Sequence, residues 1–598
     1  MWATRSKILI CNSICAVVLV LISSCSPGRG VPDPEPVRIT KGPYVQNVTK
    51  DGMTVMWETS KPTRGSVKYG FGEELAFSAE HGASARIHEV RLTGLSPATD
   101  YSYQVTFDGR SGDVHTFTTA VADGSPFRFV TYGDNKDGPM NHERVADAVL
   151  AKQPAFVLHN GDLVSRGNIA KQWGLLFFGP ARRLMHSVPV FPVLGNHEDR
   201  APLFFDYFSL PGNEAWYSFD FGNAHFVVLD SPNEEQMEID SEQIRWLQDD
   251  LAANTATWTF VNFHHPLFSS GGFYHSGHRL DLKNLLHPIF QRYGVDFVFN
   301  GHDHDYERMR PIGSSQSDHK VTYLISGNGG TPLRWVGARE WTVHSQRVFG
   351  FVTVDIDGTR LHLQSHTVDG EVIDELHLDK GDEISYGEYL ASGLDLDAIE
   401  DPVISTELFE TGDDFLDEDL YVAALIRFLA AYEADPTCIE AVGEIADGYL
   451  ELRRPREAIE WALRGIEILP QFTGTYDVLV EAHHELGDDE SALEWASRWH
   501  EIAPDSTSPQ EAMAEIYEDR GDFDAAIEAL ERALAIVPSD AEIHFELGRL
   551  LEQKGDLEAA LVSYVRGLYW FMDEKDPEDD DYQEYLVIRQ KVQAATEI

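Results

Sequence analysis

The run Val295-Asp296-Phe297-Val298-Phe299 leads through Asn300 into Gly301-His302-Asp303-His304. A short, mostly apolar stretch closed by a glycine reads as a buried strand. It ends at the C-terminal edge of a sheet, where α/β proteins place their chemistry. Histidines at i and i+2 share one side of a regular strand, and on a loop after glycine they can also converge. Converging neutral imidazoles are metal ligands before anything else. Alone, a His-x-His is equally a surface loop that happens to hold histidines, so its neighbours along the chain decide.

Four more strand ends carry ligand-type residues. Phe127 to Tyr132 runs into Gly133-Asp134-Asn135, and Phe156 to Leu158 into Asn160-Gly161-Asp162. Val190 to Leu194 runs into Gly195-Asn196-His197-Glu198, and Trp258 to Phe263 into His264-His265-Pro266. Any one of these is common by chance. Five in order, each after a β-run and each delivering a carboxylate, amide or imidazole, point to one shared site. Strands alternate with helices from about 125 to 380, as in an α/β domain.

A chain of 598 residues is too long for one core and implies about three domains or more. Hydrophobic residues make up 43%, which excludes a disordered chain. The net charge is −52, and residues 381–598 hold 14 Lys+Arg against 55 Asp+Glu, or −41 of it. So acidic a surface argues against nucleic acid binding by the C-terminal part. Of the four cysteines, Cys11, Cys15 and Cys25 lie at the extreme N-terminus and only Cys438 lies elsewhere, which excludes a disulfide framework in the mature domains.

Residues 1–25 read as an export signal. Arg5 and Lys7 precede the mostly apolar run Ile8 to Ile22, too short for a comfortable membrane span. The run closes on Ile22-Ser23-Ser24-Cys25, which resembles a bacterial lipobox with Cys25 as the lipidated N-terminus. The expectation is an exported bacterial lipoprotein, anchored to a membrane through that lipid. Residues 26–36, rich in Pro and Gly, read as a tether.

Residues 37–121 alternate short strand-like runs with turn signals, including Asp51-Gly52 and Asp108-Gly109. The expectation is an antiparallel β-sandwich of about seven strands. Its Gly42-Pro43-Tyr44-Val45-Gln46-Asn47 and Leu95-Ser96-Pro97-Ala98-Thr99-Asp100-Tyr101 stretches resemble the fibronectin-III-like domain that precedes purple acid phosphatase catalytic domains.

The five strand ends together resemble the calcineurin-like metallophosphoesterase superfamily. Gly301-His302-Asp303-His304-Asp305-Tyr306-Glu307-Arg308 is close to the last motif of its purple acid phosphatase branch. The resemblance implies a two-layer α/β sandwich over residues 125–380 with a dinuclear site holding Fe, Mn or Zn. Asp134, Asp162 and His304 would bind the first ion. Asp162, Asn196, His264 and His302 would bind the second, with Asp162 bridging. His197 would contact the phosphoryl group or leaving group as the catalytic histidine, while His265 is read as orienting or packing. His275 and His278, in a Gly-rich loop, are candidate proton donors, and His278 with Lys136 is a candidate substrate contact. The activity implied is hydrolysis of phosphate esters by a metal-activated water, with a phosphorylated small molecule as substrate. A monoesterase is the first reading. A phosphodiesterase or nucleotidase, or a degenerate scaffold protein, is the alternative.

Two departures concern the first ion. The purple branch has a tyrosine three residues after the bridging aspartate, and here that position is Ser165. Other members have a histidine two residues after the first aspartate, and here that position is Lys136, whose ammonium cannot ligate. Water or Asn135 would have to fill in.

After an acidic linker at 381–417, residues 418–598 show a period. Pro436, Pro470, Pro504 and Pro538 are 34 apart, as are Ala424, Ala458, Ala492, Ala526 and Ala560, and Gly487, Gly521 and Gly555. This resembles tetratricopeptide repeats, an all-α solenoid with a concave groove for a protein partner. Four helix pairs are expected between about 437 and 570, with a partial unit before them and a final cap helix from about 582.

Overall fold

The structure is a computed structural model that describes residues 36–395 apart from 73, 272–277 and 315–318. It also describes residues 421–570 apart from 437, with 408, 409, 411 and 588 besides. Cys25 and the expected cap helix therefore lie outside the described residues.

The N-terminal unit is one antiparallel sheet of five strands, not seven short ones. Gly52–Phe71 and Glu74–Thr93 each run 20 residues. Their pairing slips between Glu58 and Gly65, so the strands bend through irregularities where the sequence suggested separate strands. The Asp108-Gly109 turn forms as read, with both residues at positive φ as a type I′ hairpin requires, whereas in the first hairpin Thr49 pairs with Gly52, so the turn is Lys50-Asp51 and Gly52 begins the next strand. The unit is fastened to the next domain by Lys41, which bonds Glu58 and donates to the Tyr207 hydroxyl at 2.9 Å.

The catalytic unit is two facing sheets, one of six strands and one of seven. The six-stranded sheet carries Phe127–Tyr132, Phe156–His159 and Val190–Pro192 as parallel neighbours. The seven-stranded sheet carries Trp258–Asn262 and Phe297–Asn300, also parallel. Phenylalanines fill the space between. Phe129 stacks on Phe156 and meets Phe226, Phe260 and Phe299 of the opposite sheet edge-on. That buried aromatic layer fixes both sheets in one orientation, so their C-terminal strand ends open at the same edge.

The stretch read as an acidic linker begins with structure. The helix Glu383–Ala391 lies against the catalytic unit, and Leu394–Asp395 pairs with Ile312–Gly313. Tyr386 donates to Asp296 at 2.8 Å, and that is the contact a charge count could not show.

The repeats follow the 34-residue period. Nine helices are described, from Tyr421–Ala434 to Leu557–Trp570, and the last eight form the four expected pairs. Gly487, Gly521 and Gly555 each follow the first helix of a pair with φ between 72° and 89°, the left-handed turn that glycine accommodates at a helix C-terminus. Asp488 and Asp522 cap the next helix through the backbone N–H three residues on. Ala458, Ala492 and Ala526 are fully buried where paired helices cross.

Candidate metal centre

Every residue of the predicted ligand set is brought to one pocket at the shared strand edge. Asp134, Asp162 and His302 all adopt positive φ, uncommon for residues with a side chain and typical of positions the surrounding fold over-determines. Two glycines are required by proximity. A Cβ on Gly195 would lie 2.2 Å from Asp162 Oδ1, and one on Gly301 would lie 2.4 Å from Asp134 Oδ2.

The second-ion set converges on one point. His264 Nε2 lies 3.0 Å from Asn196 Oδ1, 3.3 Å from His302 Nδ1 and 3.5 Å from Asp162 Oδ1. His264 Nδ1 sits 2.8 Å from the Asn160 carbonyl, which leaves Nε2 facing the other three side chains. Burial disfavours the imidazolium, but the Asp162 carboxylate outweighs it and raises His264 to about 9. Burial would also raise Asp162, yet His264 and Lys136 hold it well below the usual carboxylate range. One carboxylate, one amide oxygen and two imidazoles suit Fe, Mn or Zn. This half of the centre fits the metal that the family resemblance implies.

The first-ion set does not. Asp134 is fully buried, its carboxylate receives the His302 backbone N–H at 3.0 Å, and His304 Nε2 stands 3.7 Å away. His304 Nδ1 is taken by the Pro332 carbonyl, and Nε2 is buried with no hydrogen-bond partner among the described residues. Burial, with Arg334 and Lys136 nearby, keeps this ring neutral and able to ligate. Beyond Asp134, His304 and the shared Asp162, no further donor side chain arrives among the described residues. Asn135, expected to fill in, is turned away: its amide donates to the Leu163 and Leu176 carbonyls, and its oxygen faces His159 Nε2 at 2.8 Å. The Ser165 hydroxyl bonds Asp137. Lys136, read as a substrate contact, is buried with its ammonium 2.7 Å from Asp162 Oδ2.

Sequence reasoning quoted Glu198 and Asn160 within motifs but gave them no role. Glu198 accepts the backbone N–H groups of Asp162, Leu163, Val164 and Gly195, so one carboxylate ties two ligand-bearing loops together. The Asn160 amide donates to the carbonyls of Asn300 and Ser326, joining strand ends of the two sheets. The available signal was a polar residue at the buried end of an apolar run.

His197 stands at the open side. Its Nδ1 lies 2.9 Å from the Ser165 carbonyl and its Nε2 4.0 Å from Asp162 Oδ2. Asn196 beside it is exposed. His265 bonds Ser231 and packs on the His302 ring, 4.8 Å between centroids, in keeping with an orienting role. His275 and the side chain of His278 lie outside the described residues.

Comparisons with known proteins place the same stretch of chain in a family. The model of the calcineurin-like phosphoesterases matches residues 111–306. Those of the purple acid phosphatase N-terminal domain and the iron/zinc purple acid phosphatase-like C-terminal region match 36–119 and 321–375. Residues 36–375 form a calcineurin-like metallophosphoesterase of the purple acid phosphatase-like branch. A tetratricopeptide repeat model matches 511–580. Acid phosphatase type 7 of Mus musculus is 29% identical over 385 residues, covering 54% of this chain and 87% of its own. Purple acid phosphatase 21 of Arabidopsis thaliana is 29% identical, covering 48% and 70%. The purple acid phosphatase PPD1 of yellow lupin shares the fold, with a TM-score of 0.50 at 20% identity, over 56% of this chain and 74% of that one. The metallophosphoesterase is thus a hydrolase of phosphoric esters that depends on metal.

The repeats border this metallophosphoesterase centre. The strip that supplies the Pro332 carbonyl continues to Trp335, which donates to Gln471 at 3.2 Å. Arg347 pairs with Asp505 at 2.5 Å. Between strip and repeats lies a cavity of about 650 Å³, whose walls include Trp335, Arg347, Thr473 and Trp499.

Proposed function

We propose that the chain is an exported, acid phosphatase-like phosphomonoesterase acting on small phosphorylated molecules. The observation that carries this reading is His197. The Ser165 carbonyl fixes its Nδ1, so Nε2 faces the open side of the pocket beside Asp162. From there Nε2 can hold a phosphoryl oxygen, or as an imidazolium pass its proton to the ester oxygen while the P–O bond breaks. A bound metal ion supplies a Lewis acid and activates the attacking water. Asp162, Asn196, His264 and His302 would hold that ion, and their nitrogen and oxygen donors suit Fe, Mn or Zn.

What supports export is the N-terminal sequence: Arg5 and Lys7, an apolar run, then Ser23-Ser24-Cys25. A lipid on Cys25 would hold the enzyme at a membrane surface, and mass spectrometry of the mature N-terminus tests it. The repeat array supports a protein partner held in its groove.

The deciding experiment pairs metal analysis with a panel containing p-nitrophenyl phosphate and bis-p-nitrophenyl phosphate. The monoester should be turned over at least about tenfold faster, as expected where a substrate oxygen must fit beside His197. Preference for the diester would make the chain a phosphodiesterase. A metal-loaded protein that hydrolyses neither would be a scaffold.

A further inference from the structure

The two halves of the centre are unequal, and the difference lies in Lys136. Asp162 turns Oδ1 toward His264 at 3.5 Å and Oδ2 toward the Lys136 ammonium at 2.7 Å. A carboxylate can join two cations by giving one oxygen to each. Here one of the two cations is covalently part of the chain.

Among the described residues, the side chains that could extend the first set are each held by another contact. The Asn135 amide is committed to Leu163, Leu176 and His159. The Ser165 hydroxyl is committed to Asp137 at 2.5 Å, and its carbonyl to His197. Lys136 itself offers donors only and has no lone pair for a metal while charged. Its side chain is 6% exposed, so water does not screen it. An ion bound between Asp134 and His304 would sit against that ammonium in a buried pocket, where like charges repel strongly. The second set meets no such obstacle.

We propose that this centre holds a single metal ion, in the Asp162–Asn196–His264–His302 set, and that the Lys136 ammonium takes the place of the other ion. Lys136 then does three things an ion would do there. It holds Asp162 Oδ2 and so aims Oδ1 at the bound metal. It offsets the buried charge of Asp134 and Asp162. It also supplies a fixed positive charge beside the phosphoryl group. The inference rests on the metallophosphoesterase reading, but concerns the number of ions and not the reaction.

The test is metal stoichiometry of the full-length protein, reconstituted with Mn²⁺, desalted and measured by elemental mass spectrometry. The wild type should keep about one ion per chain, against about two for a two-metal site. Its manganese electron paramagnetic resonance should be that of an isolated ion. Lys136→His removes the ammonium and offers a lone pair at the same place. It should raise the content to about two ions, with the spectrum of an exchange-coupled pair. Two ions in the wild type would overturn the proposal and leave the phosphoesterase reading intact. No retained ion, together with no hydrolysis, would overturn both. A wild type with one ion and a folded Lys136→His variant also with one would refute the role assigned to Lys136.

Discussion

Glu198 Oε2 lies 3.0 Å from the backbone nitrogen of Asp162 and 2.7 Å from that of Gly195. A side chain outside the proposed ligand set therefore sets the position of its central member. Its Oε1 accepts Leu163 and Val164 in the same way, so four buried N–H groups depend on one carboxylate. Glu198→Gln would present an amide NH₂ to two of those donors. Each buried donor left unpaired costs about 1–3 kcal/mol. Misplacing a ligand through its support lowers metal affinity about 10–100-fold. Glu198→Gln should therefore melt earlier and bind metal more weakly. Wild-type behaviour in both thermal unfolding and metal titration would show that the loops are held by other contacts.

Asp162→Asn should abolish turnover. The substitution keeps the shape but removes the charge that His264 and Lys136 both face. Leaving a buried ammonium unpaired costs about 3–5 kcal/mol, so loss of stability should accompany loss of metal. Near-wild-type hydrolysis of an aryl phosphate by this variant would refute the site.

Iron-loaded protein should show no strong purple absorption. The position that would supply a tyrosinate is Ser165, and its hydroxyl is held by Asp137 away from the ligands. A visible spectrum settles it, because a strong charge-transfer band would require a tyrosine ligand, and none stands at this centre among the described residues.

The convergence of the proposed ligand set was legible in the sequence because each member follows an apolar run that must be a buried strand, and parallel strands end at one edge. Asn196, His264, His302 and their partners could be placed together on that ground. The commitments of Asn135 could not. An amide beside a ligand aspartate looks like a metal donor until its oxygen is seen to face His159 Nε2 and its nitrogen the Leu163 and Leu176 carbonyls. Lys136 was recognised as unable to ligate, but its pairing with Asp162 depends on two strand ends meeting. The repeats were the most legible part, since their period repeats one local solution: glycine to end a helix, aspartate to begin the next, alanine where they cross. The helix Glu383–Ala391 was hidden by its composition, because the tyrosines that dock it lie among acidic residues.

The repeats should lose stability as pH rises. Burial, then repulsion from Glu511, Glu518 and Glu515, pushes Glu546 up to about 7. Burial and neighbouring carboxylates also raise Asp477 and Glu481. A carboxyl whose folded pKa lies above its unfolded value favours the fold most below the unfolded value. That contribution is lost as pH climbs through the folded one. The window therefore runs from about 4.3 to about 7. Thermal unfolding followed by circular dichroism should show the helical transition moving down between about pH 5 and about pH 8. Glu546→Gln should raise it at the alkaline end and flatten the dependence. A melting temperature that climbs over this range would contradict the assignment.

A chain truncated after Asp395 should keep its turnover of p-nitrophenyl phosphate, whereas one truncated near 385 should be unstable. All the proposed ligands precede Lys380, so the chemistry does not need the repeats. The earlier cut, however, removes contacts the catalytic unit uses. Tyr386 bonds Asp296, Tyr389 bonds Thr322, and Leu394 donates to the Pro311 carbonyl at 2.8 Å. Losing those buried partners leaves Asp296 and Thr322 short of hydrogen bonds, a cost the later cut avoids. The repeats do touch the strip that carries the Pro332 carbonyl, through Trp335 with Gln471 and Arg347 with Asp505. Hence the measurement has two arms, metal content and turnover, on the chain ending at 395. If that chain is folded and metal-loaded yet far slower than the full protein, the repeats hold His304 in place through that strip, and the two units form one enzyme.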